Sequence, residues 1–314
     1  MPVVGIALYG RCRVRSRLLT EWNRLASLAG VSMLQPIERG NERVVLVVVA
    51  HADDLALFLG GTVAMWARCG WRVVVVRVTD DRWDSVGLTT DQTIAANTAE
   101  FRRAADILGV AEIVELGHPT DVLGDASMVQ LREQIIRQVR THRPYSLVTF
   151  DPYSLFGEDN IDHKVVANVT DEAFWTSQFD QHHPDHLTDG LTPHGCFERW
   201  YFGRPVGEPT DAVDITETLN AKVDAACQHV TMMTNYANQL RLQARTGGWD
   251  LPLADDVVVG GDVRPLMESL LRAGAGRVGE RHGVAAAEEF RVVRYGGLEG
   301  FLHRHGRRHQ EPQR

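Results

Sequence analysis

Residues 43–61 read RVVLVVVAHADDLALFLGG and place a strand, a polar turn and the start of a helix next to one another. The run Val44–Val49 is apolar at every position, which is typical of a strand buried on both faces of a parallel sheet. One histidine and two aspartates follow it, and a helical stretch over Asp54–Cys69 comes next. This stretch therefore predicts the first buried strand of an α/β fold.

The alternation of strands and helices continues for about 100 residues. Apolar runs at Arg72–Val78, Glu112–Leu116 and Ser146–Phe150 are the next predicted strands, and helices are predicted over Thr90–Leu108 and Met128–Arg140. Strands and helices that alternate in this way form right-handed βαβ units. We therefore predict an α/β three-layer sandwich with a mainly parallel sheet, in which Val44–Val49 lies at or near the centre.

The pattern is looser after residue 150. A helix is predicted over Asp162–Thr176, a strand over Glu198–Gly203 and one long helix from Thr216 to about Arg245, whereas residues 247–261 look irregular. No stretch is a convincing linker between domains. We predict a single domain over residues 43–302, an N-terminal extension over residues 1–42 and a basic, flexible tail over residues 303–314.

Composition excludes several classes of protein. The 314 residues are 44% hydrophobic, and 33 basic against 41 acidic residues give a net charge of −8, so the chain has no electrostatic footprint for nucleic acid. No apolar run approaches the ~20 residues that span a membrane. The four cysteines are few and irregularly spaced, which favours reduced thiols and a cytoplasmic location. Nothing in the composition decides between a monomer and a homo-oligomer.

The polar residues that follow the predicted strands indicate a site, because ligands of an open parallel sheet bind beyond the carboxyl ends of its strands. His51 and Asp54 are three residues apart and can face one point, and His163 lies near the end of the fourth strand. Two histidines and a carboxylate with an open position suit a catalytic Zn²⁺. Asp53 remains as a general base. The alternative is that His51 and the two aspartates only cap the following helix.

These residues also resemble a known family. Ala50–Asp54, followed by Gly60 and Gly61, is similar to the AHPDDExxxxGG signature of the PIG-L/LmbE family of zinc-dependent N-deacetylases. Four other stretches resemble elements of the same family: Glu100–Val110, Asp162–Val166, the helix with Lys222 and His229, and Ala287–Phe290.

The resemblance implies a Rossmann-like fold with one Zn²⁺ per chain and hydrolysis of an N-acyl group, usually N-acetyl, from a small amino-sugar glycoside. It assigns His51, Asp54 and His163 as the zinc ligands. It also assigns Asp53 as the general base that acts on the zinc-bound water.

The sequence departs from the family at positions near the predicted site. Asn160 stands where the family has a histidine, and an asparagine can donate a hydrogen bond to an oxyanion but cannot protonate an amine. Asn97 replaces an arginine that contacts substrate in relatives. We expect substrate contacts from Asn97, from His118 and Asp121 after the third strand, and from Trp83, which could stack on a sugar ring.

Three alternatives remain open. The literal motif His183-Pro184-Asp185-His186 is a second metal or substrate element, or else a surface loop. The loss of the family histidine at Asn160 allows a non-catalytic relative that binds a glycoside or a metal. A nucleotide-dependent enzyme is the weakest alternative, because no G-x-G-x-x-G follows the first strand.

Overall fold

The computed structural model describes residues 33–40, 42–154, 157–204 and 206–307. Its strands form one eight-stranded sheet in the order β1-β7-β8-β6-β5-β2-β3-β4. The strands are β1 Met33–Leu34, β2 Val44–Val49, β3 Arg72–Thr79, β4 Glu112–His118, β5 Ser146–Phe150, β6 Glu198–Phe202, β7 Asp211–Asp214 and β8 Ala287–Arg294. Strand β8 is antiparallel to both of its neighbours, and the other pairs are parallel.

Helices flank this sheet, and the prediction of a Rossmann-like α/β three-layer sandwich with a mainly parallel sheet is confirmed. The helices are α1 Asp54–Arg68, α2 Thr90–Leu108, α3 Met128–His142, α4 Ile161–Thr176, α5 Asp185–Thr188, α6 Leu219–Ala226, α7 Val230–Thr246, α8 Pro252–Val258, α9 Arg264–His282 and α10 Glu299–His305. Strand β2 lies inside the sheet between β3 and β5. Val45–Val49 have no exposed surface, as an apolar strand covered on both faces requires.

The second half of the chain differs from the sequence prediction in two places. The single helix predicted from Thr216 to Arg245 is wrong, because α6 and α7 are separate helices. The chain leaves helical geometry at His229, which has a ψ of 54° and a fully buried side chain. The segment over residues 247–261 contains α8, a short helix that begins at a proline.

The two ends of the predicted domain also carry structure. Strand β1 lies within the predicted extension and pairs with β7, and α10 runs three residues into the predicted tail. Residues 1–32 and 41 of the extension and residues 308–314 of the tail lie outside the described residues. Within the described ranges, no helix has both the length and the apolarity that crossing a membrane requires.

The paired glycines of α1 are explained by close packing against its neighbours. A Cβ atom on Gly61 would lie 2.7 Å from the side chain of Ile215, and one on Gly60 would lie 3.3 Å from Cγ of Lys222. Lys222 Nζ donates a 2.6 Å hydrogen bond to Glu288, and the same carboxylate accepts from the backbone N–H of Gly61 at 3.1 Å. A buried ion pair therefore joins α6 and β8 to the glycines of α1.

We expect Lys222→Ala to lower the free energy of unfolding by about 3–5 kcal/mol, because it leaves the buried Glu288 carboxylate without its cation. Urea unfolding would measure the change. Lys164→Ala is the matched control, since Lys164 is the other lysine of the chain and its side chain is exposed. Equal stability of the two variants would contradict a structural role for the ion pair.

Candidate active site

The carboxyl ends of four neighbouring parallel strands meet at one edge of the sheet. In the order β5-β2-β3-β4, these strands lead into the segments that carry His163, His51, Asp84 and Asp121. Segments far apart in sequence thus lie together because parallel strands all end at the same edge.

His51, Asp54 and His163 form a buried cluster at this edge. Nδ1 of His51 lies 3.1 Å from Nε2 of His163, and Nε2 of His163 lies 3.2 Å from Oδ1 of Asp54. Oδ2 of Asp54 lies 3.6 Å from Nδ1 of His51. Ligands at about 2.0–2.2 Å from a tetrahedral zinc lie about 3.3–3.6 Å from one another. The three predicted ligands are spaced within a few tenths of an ångström of this range, and they form a candidate metal site.

The outer nitrogens of both imidazoles face carboxylates. Nε2 of His51 lies 3.4 Å from Oδ2 of Asp162, and Nδ1 of His163 lies 3.0 Å from Oε2 of Glu158. A carboxylate that accepts the proton of the outer nitrogen would direct the lone pair of the other nitrogen inward, toward a metal. Two inward lone pairs and the Asp54 carboxylate converge, and this donor set fits a divalent cation.

Asp162 and Glu158 contact the two histidines, and the sequence analysis predicted neither contact. Asp162 also accepts hydrogen bonds from the backbone N–H groups of Asp121 at 2.6 Å and Leu123 at 3.2 Å, so it is fixed in place. Its position directly before the predicted ligand His163 could have indicated that Asp162 lies near the site. Nothing in the sequence marked Glu158.

The electrostatics of the cluster favour positive charge at its centre. Burial lowers the pKa of His163, but Asp54 and Glu158 outweigh burial and raise that pKa to about 9. Burial raises the pKa of Asp54, but His163 and His51 outweigh it and hold that pKa below its usual range. The centre of the cluster therefore attracts protons, as it would attract a metal cation.

Asp53 lies beside this cluster, at the start of α1. It occupies the N-cap position of α1, yet its side chain makes no capping hydrogen bond, so helix capping does not explain it. Burial, and next the charge of Asp54, raise the pKa of the Asp53 carboxyl well above its usual range. A half-buried carboxylate that takes up a proton readily is suited to act as a base.

The two asparagines of the predicted site have backbone partners. Asn160 caps α4, where its Oδ1 accepts a 2.8 Å hydrogen bond from the N–H of Asp162. Asn97 has no exposed surface, and its Nδ2 donates to the carbonyl oxygens of Asp81 at 3.1 Å and Asp84 at 3.3 Å. Asn97 therefore holds the backbone of the segment after β3. This role is structural and does not require contact with a substrate. Substrate contact by Asn97 and catalysis by Asn160 stay predictions.

The other predicted substrate contacts surround the cluster. Asp121 is exposed and is joined to Asp162 through its backbone N–H. His118 is half-buried at the end of β4, where its Nε2 lies 2.7 Å from Oε1 of Gln134. Trp83 is 51% exposed on the segment after β3. Their roles in binding substrate stay predictions.

The literal HPDH motif has a structural explanation. His186 is fully buried, with Nε2 at 2.6 Å from Oε1 of Glu133 and Nδ1 at 3.2 Å from an N–H group of Arg140. Both ring nitrogens are therefore occupied, and Arg137 pairs with both Glu133 and Asp185. The motif therefore anchors its segment to α3, so it is more than a surface loop.

His229 is buried without polar partners. It has no exposed surface, and neither ring nitrogen has a hydrogen-bond partner within the part of the chain that the structure describes. Burial lowers the pKa of His229 to about 3. The folded protein therefore holds this ring neutral at pH values where the unfolded chain protonates it.

This difference predicts a loss of stability in acid. Between pH 6.5 and about 3 the unfolded chain binds the extra proton at His229, so the free energy of unfolding falls as the pH falls through that window, by ~2 kcal/mol at pH 5. We expect His229→Phe to be as stable as the parent at pH 7 and to lose less stability at pH 5, measured by urea unfolding at both values. Parallel pH dependence in the two proteins would contradict this.

This chain is similar to several known proteins, most of which are named deacetylases. Residues 46–174 match the family model described as PIG-L, GlcNAc-PI de-N-acetylase. The diacetylchitobiose deacetylase of Thermococcus kodakarensis is 29% identical over 194 residues, which cover 59% of this chain and 68% of the relative. The 1D-myo-inositol 2-acetamido-2-deoxy-α-D-glucopyranoside deacetylase of Rhodococcus jostii is 27% identical over 246 residues, which cover 62% of this chain and 83% of the relative.

Two further matches bear on fold and function. The structure of N,N'-diacetylchitobiose deacetylase from Pyrococcus horikoshii aligns with a TM-score of 0.67 and 22% identity, over 95% of this chain and 97% of that one. The 4-oxalmesaconate hydratase of Pseudomonas putida is 24% identical over 185 residues, which cover 59% of this chain and 72% of the relative. The family model, the fold and the strand-end signature all make this chain similar to the PIG-L/LmbE deacetylases.

Proposed function

We propose that this protein hydrolyses the N-acetyl group of a small amino-sugar glycoside, with one zinc ion held by His51, Asp54 and His163. The observation that carries the proposal is the donor set, in which two imidazole lone pairs and a carboxylate converge at 3.1–3.6 Å. The names of the relatives support the substrate class, since both deacetylases named above act on N-acetylated glucosamine units.

The residues divide the chemistry among them. A zinc ion at this position would polarise the amide carbonyl and acidify water. Asp53 takes the proton from the attacking water and returns it to the leaving nitrogen. Nδ2 of Asn160 is the donor that remains for the developing oxyanion, because Oδ1 caps α4. The products are a free amine and acetate.

A cavity of about 310 Å³ lies next to the cluster, on the side of His163 that faces Glu158, and His51, Asp53 and Asp54 do not line it. It adjoins His163 and Glu158, and the rings of Phe150 and Phe202 form its apolar wall. Phe150 is stacked on His163 with 4.0 Å between ring centroids, which fixes the orientation of the imidazole. The cytoplasm stays the predicted location of the enzyme, on the cysteine content alone.

A second candidate is a non-catalytic protein that binds a glycoside or a metal. The observation that favours it is Asn160, which stands in place of the histidine of the family and cannot protonate the leaving amine. A third candidate is hydration of a double bond, since one relative is named a hydratase.

Metal content and product release separate these candidates. The purified protein, loaded with zinc, would be incubated with N-acetylglucosaminides that differ in the group at the anomeric carbon, and with 4-oxalmesaconate. We expect equal amounts of amine and acetate, and none after chelation. Binding without release would favour the non-catalytic candidate, and loss of 4-oxalmesaconate alone would favour the hydratase.

A further inference from the structure

The carboxylate of Asp84 lies beside the candidate metal site, and one of its two oxygens has no hydrogen-bond partner among the described residues. One of its oxygens lies within 4.8 Å of a ring nitrogen of His51 and of a carboxylate oxygen of Asp81. Its Oδ2 is buried, and no hydrogen-bond donor reaches that atom from the residues that the structure describes. The side chain as a whole is half-buried, so one side of it faces the surface.

An unpartnered carboxylate in a partly buried position is costly. A buried polar group without a hydrogen bond loses its hydration and gains nothing in return. Burial raises the pKa of Asp84 to about 7, which is the signature of a carboxylate that its surroundings do not stabilise. A hydrogen-bond donor from a ligand would remove this cost.

The backbone around Asp84 is held in place. The buried amide of Asn97 donates to the carbonyl oxygen of Asp84 at 3.3 Å and to that of Asp81 at 3.1 Å. The hydroxyl groups of Ser85 and Thr93 lie 2.7 Å apart and tie the same segment to α2. Asp84 is therefore presented by a fixed backbone, as a group that recognises a ligand needs to be.

The surroundings select the kind of ligand. A second cation at His51, Asp81 and Asp84 is disfavoured, because Oδ2 of Asp81 already accepts from Arg77 at 2.9 Å and its Oδ1 accepts from Thr79 at 3.0 Å. An anionic group would be repelled by the nearby carboxylates. Sugar hydroxyls donate hydrogen bonds without charge, and the neighbouring, exposed Trp83 offers an apolar face for a sugar ring.

We propose that the carboxylate of Asp84 binds a ring hydroxyl of the amino sugar and thereby positions its N-acetyl group at the His51–Asp54–His163 cluster. This inference rests on the proposed function, since it names the part of the substrate that the same site recognises. Asp84 acts here on the sugar and takes no part in breaking the amide bond.

The test compares Asp84→Asn and Asp84→Ala with the parent on two neutral acetamides. Methyl N-acetylglucosaminide carries ring hydroxyls, and N-cyclohexylacetamide has a ring of similar size without them. We expect kcat/KM for the sugar to fall roughly 10- to 100-fold, mainly through KM, and to change less than about 2-fold for the hydroxyl-free amide. Asp91→Asn is the matched control, because Asp91 is an exposed aspartate in the first turn of α2.

Deoxy substrates identify the hydroxyl. The 3-, 4- and 6-deoxy analogues would be assayed with the parent and with Asp84→Asn. One analogue should lack the hydroxyl that Asp84 binds. With the parent, its kcat/KM should be as low as that of the full sugar with Asp84→Asn, and Asp84→Asn should not lower it further.

Several outcomes would overturn the inference. Equal losses on both acetamides would show a structural role, and no loss on either would show no role. A fall in bound zinc in Asp84→Asn would make Asp84 a metal ligand. Binding of the two acetamides to zinc-loaded Asp53→Asn, with and without Asp84→Asn, tests the same discrimination without turnover. If the parent releases no amine, the proposed function fails, and this binding comparison still decides the role of Asp84.

Discussion

Replacing His163 by alanine is expected to remove both metal binding and hydrolysis. The substitution takes away one of three protein ligands and leaves the Glu158 carboxylate, 3.0 Å from Nδ1 of His163, without its partner. We expect the protein to be purified without stoichiometric zinc and amide hydrolysis to fall by at least about 10³-fold. Elemental analysis and an assay of released amine would measure the two effects.

Stability offers an independent measurement for the same variant. Zinc that binds only the folded protein stabilises it. At a free zinc concentration of about 100 times the Kd, it adds ~2.7 kcal/mol to the free energy of unfolding, and His163→Ala should lose this added stability. His182→Ala is the control, because His182 is an exposed histidine of the 182–186 segment. Full zinc content in His163→Ala would remove His163 from the ligand set.

Asp53→Asn is expected to keep the metal and to lose about 10²- to 10⁴-fold in kcat. The amide has the shape of the carboxylate but cannot take a proton from water. Since the Asp53 side chain makes no capping hydrogen bond, the change should leave the start of α1 intact. Steady-state kinetics and zinc content would be measured together, with Asp106→Asn, an exposed aspartate of α2, as the control.

The opposite result would be as informative. Turnover close to that of the parent, with zinc bound, would exclude Asp53 as the base and direct attention to other carboxylates of the edge. Loss of zinc in Asp53→Asn would instead make Asp53 part of the ligand set, in place of a group that acts on water.

The sequence alone predicted the part of the site that lies close in sequence to a buried strand. Val44–Val49 was predicted to be an interior strand, because six consecutive apolar, mostly β-branched residues are typical of a strand covered on both faces. His51, Asp53 and Asp54 follow that strand directly, so their common position at the carboxyl edge follows from the strand itself. His163 joined the prediction because it follows the fourth strand of the same alternating pattern.

Contacts between distant segments could not be predicted in this way. Asp162 meets His51 across 111 positions of sequence, and Lys222 meets Glu288 across 66. Which pairs of polar side chains meet is decided by how helices pack on the sheet, and hydrophobic periodicity carries no information about that packing. The break between α6 and α7 was missed for the same reason, since burial of His229 depends on its neighbours in space.

Position relative to solvent was likewise decided by the tertiary structure. Asn97 and Asp84 are both polar residues near the end of β3. Asn97 is fully buried and binds the backbone, whereas Asp84 has a carboxylate oxygen without a hydrogen-bond partner among the described residues, beside the candidate metal site. The strand pattern determined which edge of the sheet carries the site. Only the packed structure decided which polar groups at that edge satisfy one another and which remain for a ligand, because hydrogen bonds form between groups that folding brings within about 3 Å.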